Sequence, residues 1–161
     1  MKVRLDDIDW KILAELQADG RMTNVELARR VGITAPPCLR RVRALEEAGV
    51  IRGYRTLLEE KQLGYDVTAF AMVGLTGQSE TDLRAFEERV QSWPVVRECY
   101  ILSGEVDFLL KCVSPDLRTF QDFVIQELTS APQVDSVRTS LIIRQTKDEA
   151  PVPINDDGET A

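Results

Sequence analysis

Three short helical patterns in the first fifty residues constrain the fold of this chain more than any other feature. Apolar residues recur in each pattern at helical spacing, and Gly20, Gly32 and Gly49 close the patterns, because glycine accepts the left-handed backbone that ends a helix. The second pattern is short, so a tight turn at residues 31–33 brings the third pattern across it. This spacing predicts a helix-turn-helix inside a three-helix unit.

Capping residues precede each pattern. Acidic residues crowd the start of the first helix, where they suit the free N–H groups and the helix dipole. Thr23 or Asn24 caps the second helix, and Glu26 is placed to complete a capping box with Thr23. Thr34 caps the third helix. The residues expected to face inward from the third helix are Leu39, Val42 and Leu45.

The third helix places basic residues on one outward face. Its first turn contains Pro36 and Pro37, where a missing N–H costs little. Pro36, Arg40 and Arg43 share a face at i, i+4 and i+7, and Arg41 flanks that face. Arginine supplies cations for phosphate and paired donors for guanine O6 and N7. These residues predict a helix that enters the major groove of DNA, with specificity resting on Arg40, on thymine methyl contacts and on DNA bending.

The segment after the third helix predicts a small wing. Residues 50–55 alternate in polarity and bend at Gly53, which places Arg52 and Arg55 to contact the DNA backbone. With the three helices and the turn, this segment predicts a winged helix-turn-helix DNA-binding domain over residues 1–60.

A simpler alternative exists for the arginines of the third helix. They can solvate one helix face and pair with Glu46 and Glu47 without contacting DNA. The agreement of three helix lengths, the glycine turn and the wing favours the DNA-binding interpretation over this one.

Charge is distributed unevenly along the chain. The net charge of −7 disfavours a polyanionic partner, but residues 1–55 contain 11 Lys and Arg against 8 Asp and Glu. Residues 56–161 contain 9 against 19. DNA is therefore attracted by the first third of the chain and repelled by the rest. The asymmetry predicts two domains with different partners.

Residue types that most catalytic and metal sites need are scarce. The 161 residues include no histidine, and Cys38, Cys99 and Cys112 lie far apart. These features argue against a disulfide framework, a metal centre and a cofactor, and they make an enzyme a weak alternative based on carboxylate or lysine chemistry. Without a long apolar run or a signal-peptide pattern, we expect a cytoplasmic protein, nucleoid-associated when bound to DNA.

A different pattern follows a hinge predicted at residues 61–66. Strands and helices alternate there in the order β-α-β-β-α-β, with strands predicted at 67–75, 95–102, 108–113 and 134–145 and helices at 80–93 and 117–128. This is the split βαβ order of a ferredoxin-like domain, assigned to residues 67–147. Residues 148–161 are acidic and poor in apolar residues, so a disordered tail is expected. The predicted fold class is α+β.

The two predicted helices cover only one face of a four-stranded sheet. The other face needs an apolar partner, and a second copy of the chain is the usual solution. We therefore expect a homodimer, which would present two helix-turn-helix units to a roughly palindromic operator.

Three segments carry a resemblance to a known family: LDDIDWKILAELQADGR, NVELARRVGITAPPCLRRVRALEEAGVIRGY and CYILSGEVDFLLKCVSPDL. Over residues 4–147 the chain resembles the Lrp/AsnC (feast/famine) transcription regulators. The resemblance implies a dimer formed by the C-terminal domain, tetramers or octamers built from it, and an amino acid or related small molecule bound between dimers. It implies that this effector lies beside the hairpin from Tyr100 to Asp107.

The resemblance also suggests roles for the residues of this hairpin. Gly104 allows close approach of the backbone, while Ser103 and the backbone of Leu102 and Gly104 are placed for an α-carboxylate. Glu105 or Asp107 would then pair with the α-ammonium group. Such residues also occur in hairpins with no ligand, so a purely structural loop remains an alternative. A DNA-organising protein of the same fold, without an effector response, is the second candidate function.

Overall fold

The computed structural model describes residues 4–147 and 150–154. They form two compact units, one comprising residues 4–57 with 147 and 150–154 and the other residues 58–146. The elements in chain order are α1 (Asp7–Ala18), α2 (Asn24–Val31), α3 (Ala35–Glu47), a 3-10 turn (Glu60–Leu63), β1 (Val67–Leu75), α4 (Glu80–Gln91), β2 (Val96–Ile101), β3 (Phe108–Ser114), α5 (Leu117–Phe123), a π-helical turn (Val124–Leu128) and β4 (Val134–Leu141).

The three helices of the N-terminal unit enclose one small apolar core. Ile12, Leu27, Cys38 and Leu45 are almost completely buried in it. The expectation that Leu39 faces inward is wrong, because 39% of this residue is exposed while Cys38 beside it is buried. The other two predictions are confirmed, since Leu45 is buried and Val42 packs against this core, so Cys38 takes the inward position expected of Leu39.

The start of α1 shows the reciprocal bonding that its acidic residues predict. The Asp9 N–H donates to Asp6 Oδ1 at 3.0 Å, and the Asp6 N–H donates to Asp9 Oδ2 at 3.1 Å. Two N–H groups that a helix leaves unpaired are thereby satisfied, which fixes the residue at which α1 begins.

Part of the C-terminal tail is attached to the N-terminal unit. Val152 exchanges two hydrogen bonds with the Gln17 side chain, and Ile154 packs against the core of the three helices. The expectation of a disordered tail is therefore wrong at residues 150–154, where Ile154 is half-buried against the three helices. The acidic composition of the tail gave no sign of this apolar contact. Its remaining residues, 148–149 and 155–161, lie outside the described part of the chain.

The C-terminal unit has the sheet order β2-β3-β1-β4, with every neighbouring pair antiparallel. The four strands and two helices confirm the ferredoxin-like domain. Ala71 of the central strand β1 lies opposite Leu110 on one side and Thr139 on the other. Alternate β1 residues are completely buried, and the aromatic pair Phe86 and Phe108 lies in this core with ring centroids 4.6 Å apart.

Strand β1 also presents a second face, formed by the residues that alternate with the buried ones. Phe70 and Met72 on this face are half-buried. Their cross-strand neighbours are Lys111 and Leu109 in β3 and Ser140 and Arg138 in β4. We call this surface the open face; it is formed by Phe70, Met72, Leu109, Lys111 and Arg138.

Several predicted elements differ in extent from those observed: α4 ends at Gln91, β2 spans Val96–Ile101, β3 ends at Ser114, and the largest difference is in β4. Strand β4 ends at Leu141 instead of Gln145, because its partner β1 begins at Val67 and the last bond runs from the Ile142 N–H to the Thr68 carbonyl. Helix α5 continues as a π-helical turn from Val124, and the sequence pattern did not predict this change of helix type.

Candidate DNA-binding surface and effector loop

A tight turn fixes the position of α3 against α2. Gly32 adopts φ 79° at the end of α2, and the Ile33 N–H donates to the Ala28 carbonyl at 3.0 Å. Asn24, the first residue of α2, donates from its side-chain amide to the Ala35 carbonyl at 2.8 Å. This bond joins the starts of the two helices, and the sequence pattern, which marks Asn24 only as a capping residue, does not indicate it.

Two arginines on α3 form the cationic surface of the N-terminal unit. Arg40 and Arg43 are exposed, and neither makes an ion pair with any residue that the structure describes. Pro36, one turn before Arg40, is exposed as well, and Pro37 is half-buried. The structure thus keeps Pro36, Arg40 and Arg43 on an accessible surface, as their spacing predicts.

Arg41 has a different environment from its neighbours. Its Nη1 lies 2.8 Å from Asp6 Oδ2 and 2.7 Å from Asp9 Oδ1, so its charge is already balanced by the start of α1. These hydrogen bonds raise the pKa of Arg41, while the Asp9 backbone N–H and Arg41 together lower the pKa of Asp6. We therefore correct the assignment of Arg41: it joins α1 to α3 and is not a free cation for phosphate.

Two other arginines are held in a similar way. Glu26 in α2 accepts from Arg29 and Arg30, and these hydrogen bonds lower the pKa of Glu26 to about 2. Arg30 also reaches Glu15 of α1 at 3.0 Å. The Glu26 carboxylate therefore binds these two arginines. The capping box expected from Glu26 is reduced to one bond, which runs from the Glu26 N–H to the Thr23 hydroxyl.

The segment expected to form the wing is an extended loop. No strand occurs between residues 50 and 59, all of which are described, and Gly53 adopts φ 146°. Arg52 and Arg55 are exposed in this loop. The Tyr54 hydroxyl donates to the Glu46 carboxylate at 3.1 Å, which ties the loop to the end of α3.

This contact also bears on the alternative in which the arginines of α3 pair within their own helix. Glu46 accepts from Tyr54, and within the described residues no ion pair joins an arginine of α3 to Glu46 or Glu47. Intrahelical pairing therefore does not explain the charge on this surface.

The loop between β2 and β3 exposes the residues at its tip. Ser103, Gly104 and Glu105 are exposed, and an added Cβ at Gly104 would meet no atom within 4 Å. Tyr100 and Leu102 at its base are 49% and 38% exposed. The Leu102 N–H donates to the Asp107 carbonyl at 2.8 Å, so this donor is occupied and cannot bind the carboxylate suggested for it.

Asp107 is the buried member of the predicted effector set. Its carboxylate accepts from the Leu75 N–H at 2.7 Å and from the Gln78 side-chain amide at 2.8 Å. Only 9% of the residue is exposed. The suggested pairing with an effector ammonium group needs correction, because both oxygens already bind groups that hold the end of β1.

The cysteines of the C-terminal unit are poor nucleophiles and poor metal ligands. Burial raises the pKa of the Cys99 thiol to about 11 and that of Cys112 to about 12, with smaller contributions from Glu87 and from Cys99 respectively. No group of three or more potential metal-binding side chains occurs among the described residues. Within the same residues, no helix is long and apolar enough to cross a membrane.

Comparison with known families matches both units. A family model described as the Lrp/AsnC ligand binding domain matches residues 68–152, and one described as a winged helix-turn-helix DNA-binding domain matches residues 5–52. A winged helix-turn-helix followed by a ligand-binding ferredoxin-like domain defines a class of transcription regulators. The chain belongs to the Lrp/AsnC family.

Similar proteins cover almost the whole chain. A leucine-responsive regulatory protein of Rhizobium meliloti is 65% identical, over 96% of this chain and 99% of that protein. The transcriptional regulator AzlB of Bacillus subtilis is 35% identical, over 97% and 99%. The crystal structure of the transcriptional regulator NMB0573 of Neisseria meningitidis in complex with L-Met is 37% identical, with a TM-score of 0.88 and coverage of 94% and 98%.

These relationships establish the general function. The chain is a DNA-binding transcription regulator of the Lrp/AsnC type with a ligand-binding domain, and the members of this family are regulators and not enzymes.

Proposed function

We propose that α3 enters the major groove of a roughly palindromic operator, with Arg40 and Arg43 as its main cations. The observation that carries this proposal is the exposure of these two arginines, which pair with no described residue, on a helix that Asn24 holds in place. Pro36 and Pro37 contact thymine methyl groups, and Arg52 and Arg55 in the loop after α3 contact phosphates. Binding to chromosomal DNA places the protein in the cytoplasm, associated with the nucleoid.

Substitution of Arg40 tests this assignment. Arg40→Ala removes a donor for guanine, so we expect the ratio of operator affinity to random-DNA affinity to fall by about tenfold, equivalent to about 1.4 kcal/mol of lost discrimination. Affinities for both DNAs are measured by fluorescence anisotropy at one salt concentration. Arg84→Ala is the control, because Arg84 lies in α4 of the other unit and is paired with Glu80. An unchanged ratio for Arg40→Ala would refute base reading by this residue.

We further propose that the effector is an amino acid or a related small molecule, bound at an interface between C-terminal domains. The exposed tip of the β2–β3 loop supports this location, since Ser103, Gly104 and Glu105 leave space for a ligand. Tyr100 and Leu102 line its base. A relative of this chain was crystallised with L-Met, and other relatives are called leucine-responsive.

Gly104 offers the sharpest test of the effector site. Gly104→Val fills open space, since an added Cβ meets no atom within 4 Å, and its backbone is not left-handed, so we expect the fold to be kept. Operator binding is titrated with each amino acid for the wild type and for the variant. We expect one or a few amino acids to change wild-type affinity or assembly and the variant to lose at least about tenfold in apparent effector affinity.

The same titration separates the two candidate functions. A wild-type protein whose DNA affinity, footprint and oligomeric state ignore every amino acid would favour a DNA-organising protein over an effector-responsive regulator. A response that Gly104→Val leaves unchanged would place the effector away from this loop.

We also propose a homodimer formed through the open face of the sheet. Half-buried Phe70 and Met72 provide its apolar centre. A dimer presents two copies of α3, which is what a roughly palindromic operator requires. Tetramers or octamers would assemble from this dimer.

A further inference from the structure

One large apolar side chain on α3 lies in solvent beside the two unpaired arginines. Leu39 is 39% exposed, although Cys38 immediately before it is completely buried. Among the described residues, Val42 of the same helix packs against the core of the N-terminal unit, and Leu39 does not. Core packing therefore does not explain a leucine at this position.

The spacing along α3 places Leu39 at the edge of the surface that bears Arg40 and Arg43. Residues three and four positions apart lie side by side on a helix, so Leu39 has Pro36 before it and Arg43 after it. All of these neighbours are exposed as well. Pro36 and Leu39 thus form a small apolar strip beside the two cations, in the N-terminal half of α3, which is the part of such a helix that contacts base edges.

The chemistry of a leucine side chain limits what it can recognise in DNA. It has no hydrogen-bond donor or acceptor, so it cannot bind phosphate or the polar groups of a base edge. The apolar group that a base pair presents in the major groove is the C5-methyl of thymine. A leucine placed against a G·C pair would cover polar groups without satisfying them, which costs free energy. An exposed leucine beside groove-facing cations is therefore suited to a thymine.

We propose that Leu39 is a specificity-determining residue that contacts the methyl group of one thymine in each operator half-site. Its neighbour along the chain is Arg40, and consecutive Cα atoms lie about 3.8 Å apart, close to the rise of about 3.4 Å per base pair. The thymine therefore lies within about two base pairs of the guanine that Arg40 binds. This inference rests on the proposed function, because it requires α3 in the major groove.

Deoxyuridine, which lacks only the C5-methyl of thymine, tests this contact. The probe is a duplex that the wild-type protein selects from a random pool, with each thymine in turn replaced by deoxyuridine. We expect at least one replacement to weaken wild-type binding about three- to fivefold, the factor that corresponds to one buried methyl group. The factor should be the same at about 50 and about 200 mM salt, because an apolar contact releases no counterions.

Variants of Leu39 show whether this side chain makes the contact. Leu39→Ala should bind the thymine and deoxyuridine duplexes with affinities that agree within about 1.5-fold, because the penalty disappears with the contact. Leu39→Met keeps an apolar side chain of similar volume and should retain a penalty. Leu117→Ala is the matched control, since Leu117 is an exposed leucine of the other unit, and it should show the wild-type penalty.

The outcomes separate this inference from the proposed function. A wild-type protein that selects no sequence from the pool would overturn base reading by α3, and this inference with it. Selection of a duplex in which no deoxyuridine weakens binding would overturn only the role of Leu39. The same conclusion would follow from a deoxyuridine penalty that Leu39→Ala leaves intact, because another residue, such as Pro36, would then contact the methyl group.

Discussion

At the scale of single residues, Asp107 shows how one carboxylate can fix the end of a strand. Its oxygens accept from the buried Leu75 N–H and from Gln78, and its own N–H donates to the Val73 carbonyl at 2.9 Å. A buried donor left without an acceptor costs about 1–3 kcal/mol. Asp107 is therefore a stability determinant beside the proposed effector loop.

Substitution of Asp107 should destabilise the C-terminal unit. We expect Asp107→Ala to lower the free energy of unfolding by about 1–3 kcal/mol, because the Leu75 N–H loses its acceptor, and Asp107→Asn to lower it less. Urea denaturation followed by circular dichroism measures both. Glu105→Ala, two residues away and exposed, is the control and should change stability by less than about 0.5 kcal/mol. Equal effects of the Asp107 and Glu105 substitutions would refute the assignment.

The buried thiols allow a test at the same scale. With the pKa of Cys99 raised to about 11, its thiolate fraction at pH 8 is about a hundredfold below that of a thiol with the ordinary value of 9.0. We expect labelling of native protein by Ellman's reagent at pH 8 to be at least about a hundredfold slower than labelling in urea. The rate should rise as pH increases toward 11. Rapid modification of the half-buried Cys99 in native protein at pH 8 would contradict its raised pKa.

Side-chain roles were the least predictable part of the candidate site. Helical spacing placed Arg40, Arg41 and Arg43 correctly on α3, but it could not show that Arg41 is paired with Asp6 and Asp9, more than thirty residues earlier. Such pairs depend on how helices pack, which local patterns do not encode. The paired state of Asp107 was missed for the same reason.

At the scale of elements, the turn between α2 and α3 depends on the backbone of Gly32. Its φ of 79° lies in the left-handed region, which glycine occupies without the strain that a Cβ introduces. The turn sets the angle at which α3 is presented, so its stability matters for DNA binding.

Gly32→Ala should therefore destabilise the N-terminal unit by about 1 kcal/mol, although a Cβ there meets no atom within 4 Å. Chemical denaturation measures the change. Gly104→Ala is the matched control, since its site is equally open and its φ is not positive; it should be neutral or slightly stabilising. A cost at Gly104 as large as that at Gly32 would show that backbone conformation is not the cause.

The positions of helices and strands were predicted more accurately than the roles of side chains. The predicted strand at 67–75 is β1 without change, and α3 begins after Thr34 as expected. Periodicity and breakers such as Gly32 are local signals, so they locate elements well. The Thr34 side chain nevertheless makes no capping bond, and the π-helical turn Val124–Leu128 has no local signature. The turn is closed by a backbone bond from the Thr129 N–H to the Val124 carbonyl, five residues earlier, at 2.9 Å.

At the scale of the whole molecule, the open face carries the proposal of a homodimer. The order of elements predicted the sheet, and a sheet with helices on one face leaves the other available. The sequence could not indicate which residues occupy that face until the register placed Phe70 and Met72 there.

A charge at the centre of the open face should dissociate the dimer. We expect Phe70→Asp to raise the dimer dissociation constant by at least about tenfold, because it removes apolar contact area and buries a carboxylate, and Lys111 opposite it in β3 offsets only part of that cost. Light scattering coupled to size exclusion at several protein concentrations measures this constant. Thr81→Asp in α4, at an exposed position, is the control and should leave the mass unchanged. A Phe70→Asp protein that stays dimeric would place the interface elsewhere.

The bonds between Gln17 and Val152 have a consequence for synthesis of the chain. Their partners are 135 residues apart, so the N-terminal unit leaves the ribosome long before its last contact partner is made. At typical translation rates of about 5–20 residues per second, this interval is roughly 7–27 seconds. Until Val152 and Ile154 emerge, the Gln17 amide and the apolar surface that Ile154 contacts lack these partners. A growing chain is therefore expected to expose apolar surface on its three helices that residues 150–154 later cover in part.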